Sequence, residues 1–338
     1  MEQLTKTSSD PRNVQRIGFV LLPNFGLMSY ASAVEPLRAA NLLSGTCLYE
    51  VVPLSAEGGP VRCSSGISVD CMPISMYGEH CHTVFVCAGG SPQDWSATER
   101  LMTSLRRLSR QGVRIGAISS GSFILAAAGL LNNRDFTIHW EHAPLLRETF
   151  PQLNYRQARY VLSGDRVTCG GGVAPLDMMH ALIAERMGSH FARRVSDWYL
   201  HTAVAEPTAP QRSSIAERFA TNHPALLAVL EKMEATVERP LSRSSMAAFA
   251  RISERHLDRV FSNELGKGFL EIYREIRLHH ARQLLRQSPL TVSEIAYAVG
   301  FSSAGHFSQA YRAAFGHTPK QARHRAVNAH LSLNVDLP

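Results

Sequence analysis

The chain of 338 residues lacks several things that would place it in other classes. No stretch approaches the roughly 20 uninterrupted apolar residues that a membrane span needs. The segment from Met1 to Arg16 is polar and has no apolar core of the secretory type. Paired cysteines are missing too: the six cysteines (47, 63, 71, 81, 87 and 169) form no CxxC spacing, so they read as reduced thiols and not as a disulfide framework or zinc ribbon. The cluster His80, Cys81, His82 and Cys87 has no second ligand pair and reads as a buried strand with polar flanks. Neither a metal nor a cofactor is expected. Charged residues are sparse at 19%, against 45% apolar, which excludes global disorder and supplies packed cores. What remains reads as a cytoplasmic globular chain, long enough for two or three domains.

The charge that is present lies at one end. The net charge is +7, and residues 211–338 hold 17 basic and 11 acidic side chains against 18 and 17 before them. This asymmetry points to a polyanion partner for the C-terminal part, either nucleic acid or an anionic membrane surface.

Up to about residue 202, near-continuous apolar runs alternate with helical patterns. Arg16 to Pro23 (RIGFVLLP), LYEVVPLSA, Thr83 to Gly90 (TVFVCAGG) and Arg114 to Gly121 (RIGAISSG) read as buried strands. Helical patterns cover Leu27 to Leu43, about Ser96 to Gln111, FILAAAGLL and about Ala174 to Met187; YVLSGDRVTCGGG reads as a strand pair turning at Ser163-Gly164-Asp165. The expected fold is an α/β three-layer sandwich with a mostly parallel sheet, flavodoxin-like, over residues 16–202. A disordered tail (1–15) is expected before it. After it comes a linker (203–214) rich in proline and small residues. An all-α domain with two helix-turn-helix motifs (215–326) and a C-terminal tail (327–338) complete the reading.

The all-α part repeats itself. Ser253, Leu257, Phe261 and Gly266 recur 50 residues later as Ser303, Phe307, Tyr311 and Gly316, whereas Ala247 recurs as Ala296 after 49, so one copy has an extra residue in its turn. Each copy reads as short helix, turn, second helix, with one long helix from Phe269 to Gln287 between them. In such units the second helix enters the major groove, and two of them reach adjacent grooves about 34 Å apart. Ser253, Glu254, Arg255, His256, Asp258 and Arg259 in the first copy, and Ser303, Ala304, Gly305, His306, Gln309 and Arg312 in the second, are the candidate DNA-facing residues. Duplex DNA is thus the expected polyanion.

Ile295-Ala296, Gly300-Phe301, Ser303, Phe307, Phe315-Gly316, Thr318-Pro319 and Arg323 make Asn222 to Arg325 similar to the AraC/XylS family of bacterial transcription regulators. Gln309 stands where that family often has an arginine. A second motif, AISSGSFILAAAGL, ends a strand sharply at Ser119-Ser120-Gly121 and resembles a nucleophile elbow. With Glu35 in SYASAVEPLRAAN, Arg16 to Gly188 resembles the amidotransferase-like ThiJ/PfpI superfamily, and the whole chain resembles the GlxA-type regulators. The segments MSYASAVEPLRAANLLSG and CGGGVAPLDMMHALI resemble the subgroup controlling arginine, glycine betaine and carnitine catabolism.

Enzymes of that superfamily carry cysteine at the elbow, whereas this chain has Ser119 followed by Ser120, and His139 is the nearest base in sequence. A serine without a partnered base is a poor nucleophile. No catalytic residue is therefore expected, and the alternative is an amidase- or hydratase-type enzyme using Ser119. The resemblance implies a regulator, expected to be an activator, with a small-molecule effector, a homodimer, promoter DNA and RNA polymerase as partners, and no membrane. The effector crevice would use Phe25, Tyr30, Glu35, Ser119, Ser120, Gly121, His139 and Trp140. A ligand carboxylate would sit on the Ser120 and Gly121 amides, a cationic group against the aromatics, and Glu35 would supply the counter-charge. Trp198 is assigned to packing or a dimer surface.

Overall fold

A computed structural model describes residues 14–95, 99–288 and 290–324 of the chain, excepting the side chains of residues 93 and 287. The expected tail 1–15 lies outside the described residues up to 13, the expected tail 327–338 lies wholly outside them, and so does the expected helix start at 96–98. The chain divides into two units, Met1–Gln211 and Arg212–Pro338.

The first unit is an eight-stranded sheet of order β3-β4-β2-β1-β5-β6-β8-β7. The strands are β1 (Gln15–Leu21), β2 (Tyr49–Ser55), β3 (Gly59–Arg62), β4 (Ser68–Pro73), β5 (Thr83–Ala88), β6 (Arg114–Ser119), β7 (Tyr160–Ser163) and β8 (Arg166–Cys169). Only the β3–β4 and β7–β8 pairs are antiparallel. β5 is buried at all six positions, as a central strand covered on both faces must be. Helices α1 (Leu27–Ser44), α2 (Ile74–Tyr77), α3 (Glu99–Arg110), α4 (Gly121–Ala127), α5 (Ala143–Thr149), α6 (Ala174–Met187) and α7 (Ser189–Trp198) complete it. One core packs α1, α6 and α7 on one face of the sheet. The other fills the opposite face against α3, α4 and α5.

Three local differences from the sequence reading have physical causes. β3 and β4 were not legible, because they are short and mostly exposed at the sheet edge. The helix expected across FILAAAGLL stops at Ala127, before Gly129 takes a left-handed conformation (φ 73°). The stretch expected as a free linker lies on the first unit as far as Gln211. There the Ala205 amide donates to Asp177 at 2.8 Å, and the Pro207 carbonyl accepts from Arg159 N at 2.8 Å.

In strand order, the connection from β1 runs to β2 on one side, while β5 and β6 lie on the other. The order thus reverses between β1 and β5, the kind of place at whose strand carboxyl ends doubly wound sheets bind ligands.

The second unit contains α8 (Ile215–Phe219), α9 (Pro224–Ala235), α10 (Arg243–Phe249), α11 (Glu254–Leu265), α12 (Phe269–Gln287), α13 (Val292–Ala298) and α14 (Ala304–Phe315). It holds two small cores. Leu257, Val260 and Phe261 of α11 pack with α9, Met246 and Ala247 of α10, and Phe269, Ile272 and Tyr273 of α12. Phe307 and Tyr311 of α14 pack with Ile295 and Ala296 of α13 and with Leu278, Ala281, Leu284 and Leu285 of α12. One 19-residue helix, spanning about 28 Å at 1.5 Å per residue, thus carries both cores.

Candidate functional site

The repeat read from the sequence is a repeat of geometry. α10 and α13 have seven residues each, and α11 and α14 have twelve. In both copies the residue after the turn bonds back identically: Ile252 N donates to Ala247 O at 3.0 Å, and Phe301 N to Ala296 O at 2.8 Å. The turn needs a left-handed residue, supplied by Arg251 (φ 55°) in the first copy and Gly300 (φ 73°) in the second. A side chain at Gly300 would meet Pro240 and the Glu238 carbonyl within 2.8 Å. The register places the extra residue of the second copy at Ser302.

Both reading helices start on the same cap. The Ser253 hydroxyl accepts from His256 N, and the Ser303 hydroxyl from His306 N, each at 3.2 Å. Both end on a left-handed glycine, Gly266 and Gly316. Leu257 and Phe261, like Phe307 and Tyr311, anchor one face without exposure, which turns the other outward. Arg255 and Arg259 are exposed on α11, as are Gly305, His306, Gln309 and Arg312 on α14; Ala304 is half-buried. Glu254, His256 and Asp258 are also half-buried, and both carboxylates are held by Arg243 of α10, at 2.7 Å and 3.0 Å. Arg277 fixes the second turn by donating to Val299 O at 2.7 Å while covering the Phe301 ring at 4.3 Å.

In the first unit the elbow has the expected shape. Ser119 closes β6 with φ 59°, a left-handed value that a serine adopts only when the surrounding fold enforces it. The enforcement is visible on both sides. Gly171 approaches so closely that a Cβ there would lie 2.5 Å from the Ser119 side chain, and a Cβ on Gly121 would lie 2.0 Å from the Val86 carbonyl. Behind the elbow, burial pushes the Cys169 thiol up to about 12, partly offset by amides of Gly171 and Ser119. Cys87 stands beside it, also raised by burial.

The structure brings the candidate crevice residues together unevenly. Ser119, His139 and Trp140 are half-buried, and Ser120 is fully buried with a hydroxyl that has no partner. The Ser120 amide donates to Ala88 O at 3.2 Å, so it is not open to a ligand carboxylate as the sequence reading supposed. Phe25 is fully buried, so its ring belongs to the core and offers no open face. Tyr30 stands edge-on to Phe19 and Phe25, at centroid distances of 5.5 and 5.7 Å, and burial raises its pKa. Glu35 is engaged elsewhere: its carboxylate accepts from Arg38 Nε at 2.6 Å and from the Tyr199 hydroxyl at 3.3 Å. His139 accepts from Glu141 N through Nδ1 at 3.3 Å, and burial lowers its pKa. Among the described residues no hydrogen bond joins it to Ser119, so the elbow lacks the partnered base that a serine nucleophile requires. Trp198 is half exposed at the end of α7.

Sequence reasoning missed the residues that hold the segment 201–211 on the first unit. Asp177 is fully buried and gathers Arg159, His201 Nε2 (2.7 Å) and the Ala205 amide. Gln211 threads its side-chain amide among Trp140, Thr137, Ile138 and Ala158. The glycine run 170–172 was the visible signal, since three adjacent glycines mark a place where other groups come close. His139, Glu141 and His142 bring potential ligand atoms within 4.8 Å of one another on a single turn.

A doubly wound sheet with an unarmed elbow, joined to two identically capped reading helices, defines a DNA-binding transcription regulator built on an enzyme-type scaffold. Known proteins agree. Residues 15–185 match the DJ-1/PfpI family and residues 246–325 match a helix-turn-helix domain. The chain is 68% identical over 319 residues to the HTH-type transcriptional regulator GlxA of Rhizobium meliloti, covering 94% of this chain and 98% of that one. It is 38% identical over 312 residues to the HTH-type transcriptional regulator GbdR of Pseudomonas aeruginosa, covering 92% and 85%. A crystal structure of an AraC family transcriptional regulator from Pseudomonas putida superposes with a TM-score of 0.51 at 25% identity, covering 55% of this chain and 99% of that one. The chain therefore belongs to the DJ-1/PfpI family through its first unit and, along its length, to the AraC-type transcription regulators related to GlxA. Among the described residues no helix is long and apolar enough to cross a membrane.

Proposed function

We propose that this regulator is an effector-responsive activator of a catabolic operon, acting in the cytoplasm as a homodimer that recruits RNA polymerase. The observation that carries its DNA reading is the matched pair α11 and α14, with equal length, equal caps and outward faces. Arg255 and Arg259 on the first, and His306, Gln309 and Arg312 on the second, read base edges and phosphates. Ser253 and Ser303 act through their caps, and Glu254 and His256 border the contact.

The effector belongs in the elbow crevice. Its chemistry is that of a small amine or amino-acid-like metabolite carrying a carboxylate, such as glycine betaine, carnitine or arginine. The half-buried Ser119 hydroxyl offers a hydrogen bond, and the half-buried Trp140 ring is of the type that holds a cationic group by roughly 0.5–2 kcal/mol. Glu35 serves the packing of α1 against Tyr199 and not the ligand.

Two measurements test this. Binding to a promoter fragment should exceed binding to random duplex by about 10³-fold or more at physiological salt. Equal binding to both would end the reading. A thermal-shift series with glycine betaine, carnitine and arginine should show one compound that adds roughly 2.7 kcal/mol of stability at 100 times its dissociation constant. Substituting Trp140 should abolish that shift and leave DNA binding intact.

A further inference from the structure

Gln211 is the last residue of the first unit, and Arg212 opens the second. Its side chain is bonded from both ends. Nε2 donates to Ala158 O at 2.6 Å, Ile138 O at 3.0 Å and Thr137 Oγ1 at 3.1 Å, while Oε1 accepts from Trp140 N at 2.8 Å. A seat is kept free for it: a Cβ on Gly170 would lie 2.5 Å from the Gln211 side-chain amide carbon. The neighbouring Gly171 is the residue that presses on Ser119. One amide therefore holds the 137–140 wall of the crevice, next to the glycines behind the elbow.

We infer that Gln211 is a positioning residue of the effector crevice and, at the same time, the pin that sets the length of the tether to the DNA-binding unit. This rests on the effector reading above. With Gln211 seated, three residue steps separate it from the cap of α8 at Ser214. With Gln211 released, the next upstream hydrogen bond to the sheet among the described residues is at Pro207, whose carbonyl accepts from Arg159 N and Tyr160 N. At 3.3–3.6 Å per residue the tether then grows from about 10 Å to about 24 Å. An effector that shifts Trp140 changes the seat of Gln211, and through it the freedom of the second unit. In the proposed homodimer, the effective concentration of one protomer's DNA-binding unit beside its partner's on DNA follows the tether length.

The test uses the full-length protein and trypsin, which cleaves after Arg212. Gln211→Ala removes the pin. Gln211→Glu keeps the shape but turns a carboxylate oxygen toward two carbonyls, and Gly170→Ala expels the amide without touching residue 211. Each variant should release the fragment ending at Arg212 on the order of tenfold faster, because cleavage tracks the population of the open form. The cleavage rate of Gln211→Glu equalling that of the wild type would overturn the pin. Glycine betaine, carnitine and arginine are then added to wild type and Gln211→Ala. A compound that raises the melting temperature of both should change the Arg212 cleavage rate only in the wild type. An equal change in both would overturn the coupling. If none of the three raises the melting temperature, the stated effector class is wrong, and the pin is judged by the variants alone.

Discussion

Replacing Ser303 by alanine in one variant and by aspartate in another separates two jobs available to the start of α14. Ser303 lies in the extended region (φ −152°, ψ 148°), its hydroxyl accepts from His306 N, and the first turn of α14 holds no acidic residue. Alanine deletes the cap, at a cost of about 1 kcal/mol, within a range of roughly 0.5–2. For a unit of this size that is a fall of about 4 °C in its melting temperature. Aspartate caps as well as serine, and its charge beside the positive end of the helix adds about 0.3–1 kcal/mol, so the melting temperature should hold or rise.

DNA binding should order the variants the other way. A reading helix enters the groove by its N-terminal half, so the new carboxylate faces phosphate. Ser303→Asp should weaken binding to a promoter fragment and flatten the slope of log affinity against log salt by about 0.9, the equivalent of one lost phosphate contact. Ser303→Ala should retain the wild-type slope. Fluorescence anisotropy at two salt concentrations reads both quantities. The reasoning is refuted if Ser303→Asp melts as low as Ser303→Ala, since the hydroxyl is then no cap. It is equally refuted if Ser303→Asp binds promoter DNA like the wild type.

Three further outcomes follow from the same geometry. Asp177→Asn removes the buried carboxylate that pairs with Arg159 and bonds His201 Nε2, and should cost about 3–5 kcal/mol in chemical denaturation of the first unit; an unchanged midpoint would contradict the assignment. Burial lowers the pKa of His139, and burial with Arg114 and Arg186 lowers that of His82, so the unfolded chain binds more protons than the fold below the ordinary value of about 6.5. The stability they contribute is present above about pH 6.5 and is lost as pH falls through it, so the first unit's melting temperature should drop between about pH 7.5 and 5.5. Arg251→Gly removes a left-handed arginine, worth about 1 kcal/mol of strain, and should raise the melting temperature of the second unit; a fall would show that the arginine is not strained there.

The legible parts of this chain were those in which one residue type answers one local demand. β5 could be read because a strand buried on both faces must be apolar throughout, and α11 and α14 because serine caps and left-handed glycines bracket a fixed length. β3 and β4 could not, since edge strands with exposed side chains carry no alternation. The elbow was legible as a motif, but the crevice around it was not. Glu35 looked like its acidic anchor, yet which way a helical carboxylate turns depends on Arg38 and on Tyr199, which is 164 residues away in the chain. Gln211 was hidden for the same reason. Its four partners come from segments 53 to 74 residues distant, and nothing in AVAEPTAPQRSS distinguishes a pinned strap from a loose one.

The two reading helices share a scaffold but differ in charge, and the difference points to Arg243. α14 contains no acidic residue, whereas α11 carries Glu254 and Asp258 beside Arg255 and Arg259. On its own, that face of α11 is neutral and would gain little from phosphate. Arg243, reaching from α10 to both carboxylates, leaves one positive charge in excess. All three side chains are close to half exposed, so solvent screens the pairs and they contribute little to folding. Arg243→Ala should therefore leave the melting temperature nearly unchanged and still weaken binding to all DNA sequences alike, flattening the salt slope by about 0.9. Arg255→Ala should instead cost about 1–3 kcal/mol on the promoter alone, by relaxing base preference. Adding Glu254→Gln and Asp258→Asn to Arg243→Ala should restore the salt slope. Its failure to do so would mean that Arg243 touches phosphate itself and does not act through the two carboxylates.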